Sequence, residues 1–244
     1  MIGYDHSPLS VRTDLADAHQ RAWRRLARPG AWFTGFERVA IAQEVRAAPA
    51  CALCIERKNA VSPYAVSGEH TSVTDLPAAL IEVVHRTRTD AGRLTRKFFD
   101  DAITDGLTDG HYVEAIGVVA TVVAVDSFCD AMGLPRHDLP RPIDGTPSQH
   151  RPAGARDGLA WVPTVAPEDV TEAEAGMYDG LTGVNIHRAL SLVPSEVVGF
   201  FDLDKVQYLP DNKLRDFGIE YRDLTHAQTE FLAARVSAIN QCVY

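Results

Sequence analysis

Thr34-Gly35-Phe36-Glu37, leading through Pro49-Ala50 into Cys51-Ala52-Leu53-Cys54, carries the strongest local signals in the chain. A threonine with a glutamate three residues on reads as a capping box, in which each end of the pair satisfies an otherwise unpaired backbone N–H. Phe36, Val39, Ala40, Ala47 and Ala48 give the following helix its apolar positions, and Pro49 breaks it just before the cysteines. A later stretch opens in the same way. Thr225-His226-Ala227-Gln228-Thr229-Glu230 runs on to Asn240-Gln241-Cys242, and in both copies a cysteine follows the threonine by 17 positions. A repeat at a separation of 191 residues predicts two related helical halves in tandem.

On either side of these stretches helical periodicity dominates and no convincing run of alternating strand residues is found, so the fold class expected is all-α. Thr13 is expected to cap a first helix that Pro29-Gly30 terminates. A helix from Cys51 to about Val61 follows the Thr34 helix. Asp75 is expected to cap another, with Pro77 in its first turn, and Leu94, Phe98 and Phe99 mark a further one. Thr108 begins the longest, through Tyr112, Ile116, Val119, Val123 and Phe128 to Gly133. Between Gly133 and Ala160 lie five prolines and few apolar residues, the composition of an extended connector. Helices are expected again near Thr171 to Tyr178, Asn185 to Leu192, Ser195 to Tyr208 and from Thr225. The organisation expected is a first helical half at 1–132, a proline-rich connector at 133–160, and the start of a second half at 161–244.

Composition narrows the function. A formal charge of −9 with scattered basic residues opposes binding to phosphate backbones, so no nucleic-acid partner is expected. Arg21, Arg24, Arg25 and Arg28 alternate with apolar residues and read as the polar face of an amphipathic helix. The apolar run Ile116 to Val125 falls short of the roughly 20 residues that span a bilayer, so no membrane partner is expected. The first residues show no basic start followed by an apolar run, and the location expected is cytoplasmic.

In a reducing compartment, a C-x-x-C pair is catalytic or metal-binding more often than structural. Residues three apart share a helix face, and a helix N-terminus stabilises a thiolate through its free N–H groups and dipole. One such sulfur can attack and its neighbour can close a disulfide. A zinc site needs four ligands and no second cysteine pair accompanies the first, so no metal is expected. Cys129, alone in the long apolar helix, reads as core. His85 and His111 carry no distinguishing context. No G-x-G-x-x-G loop is present, so no nucleotide or flavin cofactor is expected and reducing power is expected from a partner dithiol.

These segments resemble the alkylhydroperoxidase D-like family, within the carboxymuconolactone decarboxylase-like superfamily. The resemblance rests on the helices that run into Cys51-x-x-Cys54 and Cys242, and on Gly106-Leu107-Thr108-Asp109-Gly110-His111-Tyr112-Val113-Glu114-Ala115-Ile116-Gly117, which looks like the family's long helix. It implies the alkylhydroperoxidase D-like helical fold, a homo-oligomer, and reduction of organic hydroperoxides through a glutamate, a C-x-x-C pair and a histidine. In the first half Cys51 and Cys54 match, but Val39 stands at the glutamate position and Lys58 at the histidine position; Glu44 and His70 are possible substitutes. In the second half Glu230 stands twelve residues before Cys242, as the family has it, while the partner sulfur and the histidine would fall at positions 245 and 249. The second half is therefore expected to be incomplete. One expectation is a selenocysteine at 245 of a longer parent, a truncated or decayed reading frame being the other.

The resemblance thus implies a peroxidase-type oxidoreductase with catalytic residues Cys51, Cys54, Glu230 and Cys242, whose partners are a hydroperoxide substrate and a dithiol reductant. The alternatives are a non-catalytic helical member serving oligomerisation or partner binding and, below it, lactone-type decarboxylation.

Overall fold

The computed structural model describes residues 2–5 and 7–242 of the chain. Among these residues the fold is all-α but for one short strand pairing. Helix α1 spans Thr13–Leu26, α2 Gly35–Ala47, α3 Ala52–Asn59, α4 Ala78–Asp90, α5 Arg96–Thr104 and α6 Asp109–Ala131. After the connector come α7 (Asn185–Arg188), α8 (Pro194–Gln207) and α9 (His226–Ile239). Two-residue strands β1 (Ala155–Arg156) and β2 (Thr164–Val165) pair antiparallel.

Local chemistry sets the helix ends. Both expected capping boxes form: Thr34 Oγ1 accepts from Glu37 N while the Glu37 carboxylate accepts from Thr34 N, and Thr225 with Gln228 does the same. Such a cap is worth about 1 kcal/mol. Thr108 caps α6, and Gly133 ends it with φ 65°, a left-handed conformation that glycine adopts at little cost. Two expected caps do not form. Thr13 is the first residue of α1, whose cap position is Arg12, and α4 begins after Pro77 without a side-chain cap. Residues 171–178 hold one turn of 3-10 helix at Glu172–Glu174, closed by a Thr171–Glu174 capping box, and α7 is a single turn.

Helix α6 is the axis of the molecule. It is long and apolar enough to cross a membrane by composition, and most of it is buried by the helices around it. Val113, Ala115, Val118, Val119 and Val122 of α6 meet Ile41, Ala42 and Val45 of α2 and Leu80, Val83 and Val84 of α4. Each valine, leucine or isoleucine among them contributes roughly 1.5–3 kcal/mol by leaving water, and each alanine less. The same core takes in Val162, Val165, Leu192, Val193 and Val197, so residues on both sides of the connector share it. A smaller cluster joins Leu15, Ala18, Ala22 and Trp23 of α1 to Val125 of α6 and Leu203 and Val206 of α8.

The connector is extended, as its prolines dictate, and it is pinned along its length. Ile143 N donates to Ala27 O, Ser148 N to Gly30 O and Gln149 N to Ala31 O, laying it across the turn between α1 and α2. The arginine face of α1 is only partly a solvent face. Arg24 and Arg28 are exposed, but Arg21 forms a paired bridge to Asp202 and Arg25 donates to Gly199 O, both on α8.

Candidate functional site

The site lies where α2 ends, α3 begins, and the 60–77 loop folds back towards α4. Pro49 sits in a 3-10 turn, Ala48–Ala50, that redirects the chain, and Cys51 becomes the extended cap residue of α3. Cys54 follows one turn later. The two sulfurs are free thiols, 1% and 2% exposed by residue, so neither is presented to bulk solvent.

Two histidines close on them. His70 comes from the loop, and its Nδ1 lies 3.5 Å from both Cys51 Sγ and Cys54 Sγ. His85 comes from α4, and its Nδ1 lies 3.4 Å from Cys54 Sγ. The four ligand-type atoms all lie within 4.8 Å of one another. Thr71 N also donates to Cys51 Sγ at 3.3 Å.

Each imidazole is held from behind by a carboxylate. His70 Nε2–H donates to Glu82 Oε2 at 2.6 Å, and Arg57 Nη1 in turn contacts both Glu82 oxygens at 2.7 and 2.8 Å. His85 Nε2–H donates to Glu44 Oε2 at 2.8 Å. The other Glu44 oxygen accepts from Ser72 Oγ, Val73 N and Thr74 Oγ1 at 2.6–2.9 Å, which ties the loop to α2. Because a carboxylate only accepts, it fixes the ring proton on Nε2 and turns Nδ1 towards the sulfurs.

Electrostatics follow from this arrangement. Burial by itself would raise the Cys51 thiol, but the N–H of Cys54, His70, the N–H of Thr71 and His85 outweigh it and bring it down to about 6. Cys54 is lowered as well, burial again being outweighed by His70 and His85. Burial would lower His70, yet Cys54, Glu82 and Cys51 together raise it to about 10, and His85 is raised for the same kind of reason by Cys54 and Glu44. Glu82 falls to about 2, its burial outweighed by His70 and Arg57. Each sulfur is thus easier to deprotonate, and each ring easier to protonate, than the free side chain.

A cavity of about 620 Å³ borders this cluster, lined among others by Arg57, Tyr64, His70, Glu82, Arg86 and Phe98. His70 forms part of its wall and the sulfurs lie behind that ring. Arg86 is 2% exposed, its Nε and Nη2 have no hydrogen-bond partner among the described residues, and it stacks over Tyr64 and Phe98 at 5.2 and 5.6 Å.

The structure brings Cys51 and Cys54 together, along with the two substitutes Glu44 and His70. It does not bring Glu230 and Cys242 together. Glu230 sits in the first turns of α9, accepts from Tyr208 Oη and lies 3.4 Å from His226 Nε2. Cys242 is exposed beyond the other end of the helix, so roughly 13 Å of helix separates the two. Around it α9 exposes Phe231, Leu232, Val236 and Ile239. Cys129 is fully buried in α6, as its apolar neighbours imply.

His85 and Glu82 are the site residues that the sequence does not reveal by spacing. The only available signal is periodic: Ile81, Val84 and His85 share the inward face of α4, and a histidine on such a face needs a buried polar partner. Compared with known proteins, the chain matches no family model, no curated protein and no solved structure.

Proposed function

We propose that the chain is a dithiol oxidoreductase of the alkylhydroperoxidase type, with Cys51 and Cys54 as its working pair in the described structure. The observation that supports this reading is the double histidine–carboxylate arrangement converging on two neighbouring sulfurs. Cys51, at the cap of α3 and beside Thr71 N, is the attacking sulfur; Cys54, between both rings, resolves.

The chemistry balances with a hydroperoxide and an external dithiol. The Cys51 thiolate attacks the terminal peroxide oxygen and the O–O bond breaks. The alkoxide leaves as the alcohol, taking the proton that His70 holds between the sulfurs and Glu82. Cys54 then attacks the sulfenic sulfur, a disulfide forms, and hydroxide leaves as water with a proton from His85. A partner dithiol returns two electrons by exchange. The cavity that ends on His70 is the substrate approach, and its buried Arg86 suits a hydroperoxide bearing a carboxylate.

A non-catalytic role is the second reading, and the burial of both sulfurs is the observation that favours it. One experiment separates the two. Metal-free protein, Cys51→Ser and Cys54→Ser are compared for consumption of cumene hydroperoxide with a dithiol reductant, and the oxidised parent is checked by mass for the loss of two hydrogens between Cys51 and Cys54. Turnover that requires both cysteines is expected. Equal rates in parent and variants, or no disulfide after peroxide, would overturn the proposal.

A further inference from the structure

We propose that Cys51, Cys54, His70 and His85 form a tetrahedral zinc site, an inference that stands on geometry alone and goes beyond the redox reading. The second pair of ligands, which the sequence lacks as cysteines, is supplied by two histidines. Zinc binds thiolate at about 2.3 Å and imidazole nitrogen at about 2.0–2.1 Å, which in a tetrahedron separates sulfur from nitrogen by roughly 3.5 Å. Three of the four sulfur–nitrogen separations are 3.5, 3.5 and 3.4 Å, and the fourth, Cys51 to His85, is within 4.8 Å.

The pattern of sharing matters as much as the distances. His70 Nδ1 is equidistant from two sulfurs, and Cys54 Sγ is almost equidistant from two nitrogens. One proton on a ring nitrogen serves one acceptor well, whereas an ion among four ligand atoms serves all of them. Glu82 and Glu44 engage Nε2 of the two rings, so it is Nδ1 that faces the sulfurs and would coordinate an ion once its own proton is released. Carboxylate–histidine–metal relays of this kind orient ligands and raise their basicity. Two thiolates and two imidazoles select zinc over magnesium or calcium, and two thiolates balance the charge of a divalent ion.

The ligands come from the start of α3, the 60–77 loop and α4. With four protein ligands the site is closed, so the ion would staple that loop between the two helices. Zinc and a disulfide compete for the same two sulfurs. The metal-bound chain therefore holds the pair reduced and shielded from peroxide.

The test uses the whole chain purified without chelator. Elemental analysis is expected to give one zinc per chain, and X-ray absorption at the zinc edge two sulfur and two nitrogen neighbours. Metal-free protein titrated with cobalt(II) is expected to develop thiolate-to-metal charge transfer and tetrahedral d–d bands. Cys51→Ser and His85→Ala should abolish those bands, Cys129→Ser and Cys242→Ser should leave them, and Glu44→Gln should weaken metal affinity about 10- to 100-fold. Absence of tight cobalt or zinc binding by the parent, or a neighbour shell of oxygen and nitrogen alone, would overturn the site whether or not any variant folds. Peroxide turnover by the metal-free chain is read separately. Its failure sinks the redox proposal and leaves this one, and turnover without metal binding does the reverse.

Discussion

Glu44 Oε2 and His85 Nε2 meet at 2.8 Å across the contact between α2 and α4, both side chains closed off from solvent. The same carboxylate satisfies three donors of the 72–74 segment, so one side chain joins two helices, a loop and the ring that faces Cys54. Glu44→Ala leaves the buried His85 Nε2–H without its acceptor, whereas water can reach the 72–74 donors on their exposed stretch. Each buried orphan costs about 1–3 kcal/mol. The variant is expected to lose about 1–3 kcal/mol in urea unfolding. Glu44→Gln keeps an oxygen acceptor and should lose less than half of that; equal losses would show that the charge, and not the acceptor, sets the effect.

Arg86 offers a different kind of test because it lines the cavity next to His70 and two of its buried guanidinium nitrogens have no hydrogen-bond partner among the described residues. Its nearest carboxylates, Glu82 and Asp90, stand 3.9 and 3.7 Å away, beyond good hydrogen bonding. Arg86→Gln is expected to raise KM about tenfold for a hydroperoxide carrying a carboxylate, one charge-assisted contact being worth about 1.5–3 kcal/mol. KM for cumene hydroperoxide should hardly change. A uniform rise for both substrates would indicate a general loss of structure.

Arg38 of α2 is buried between Glu114 of α6 and Glu196 of α8, 2.8 Å from the latter. Glu114 also accepts from Trp32 N. Removing the cation leaves two carboxylates facing each other without water. Arg38→Met is expected to destabilise the fold by about 3–5 kcal/mol, measured by denaturant unfolding. Adding Glu114→Gln and Glu196→Gln to it should recover part of the loss, since the uncompensated charge is what makes the single change severe.

Asp204 on α8 has no cationic partner among the described residues, and burial followed by the charge of Asp211 lifts its carboxyl to about 6. A raised carboxyl means that the folded chain accommodates the protonated form better than the ionised one. Its contribution is fully present below the unfolded value near pH 4 and is lost as pH rises through about 6. Asp204→Asn imitates the protonated form. Thermal unfolding should find the variant more stable than the parent at pH 8 by up to about 3 kcal/mol, each tenfold change in proton affinity being worth roughly 1.4 kcal/mol. Near pH 4 the two should be equal.

Much of the helical framework is readable along the chain because its signals are local. Thr34 with Glu37, Thr108, Gly133 and Thr225 with Gln228 each act within one turn of themselves, and each forms in the structure. The prolines of 133–160 dictate an extended path for a similar reason. Arg21 and Arg25 are harder to place: their partner Asp202 and the Gly199 carbonyl lie more than 170 residues away, and composition does not reveal which arginines on a helix face will find one. The sharing of one core by residues 26–122 and 162–197 is equally non-local.

At the site, the order of residues already requires two sulfurs one helical turn apart at the start of α3, because the C-x-x-C spacing and Pro49 are short-range facts. What faces those sulfurs is a matter of packing. His70 is 16 residues beyond Cys54 and His85 a further 15, and neither spacing has a meaning in a single helix. They converge because the apolar face of α4 packs on α2 and α6, carrying His85 inwards, while Glu44 and Glu82 draw the loop and its histidine down over the sulfurs. Hydrophobic burial set the helices in place without regard to residue order, and the hydrogen bonds available at that junction then selected the ring orientations.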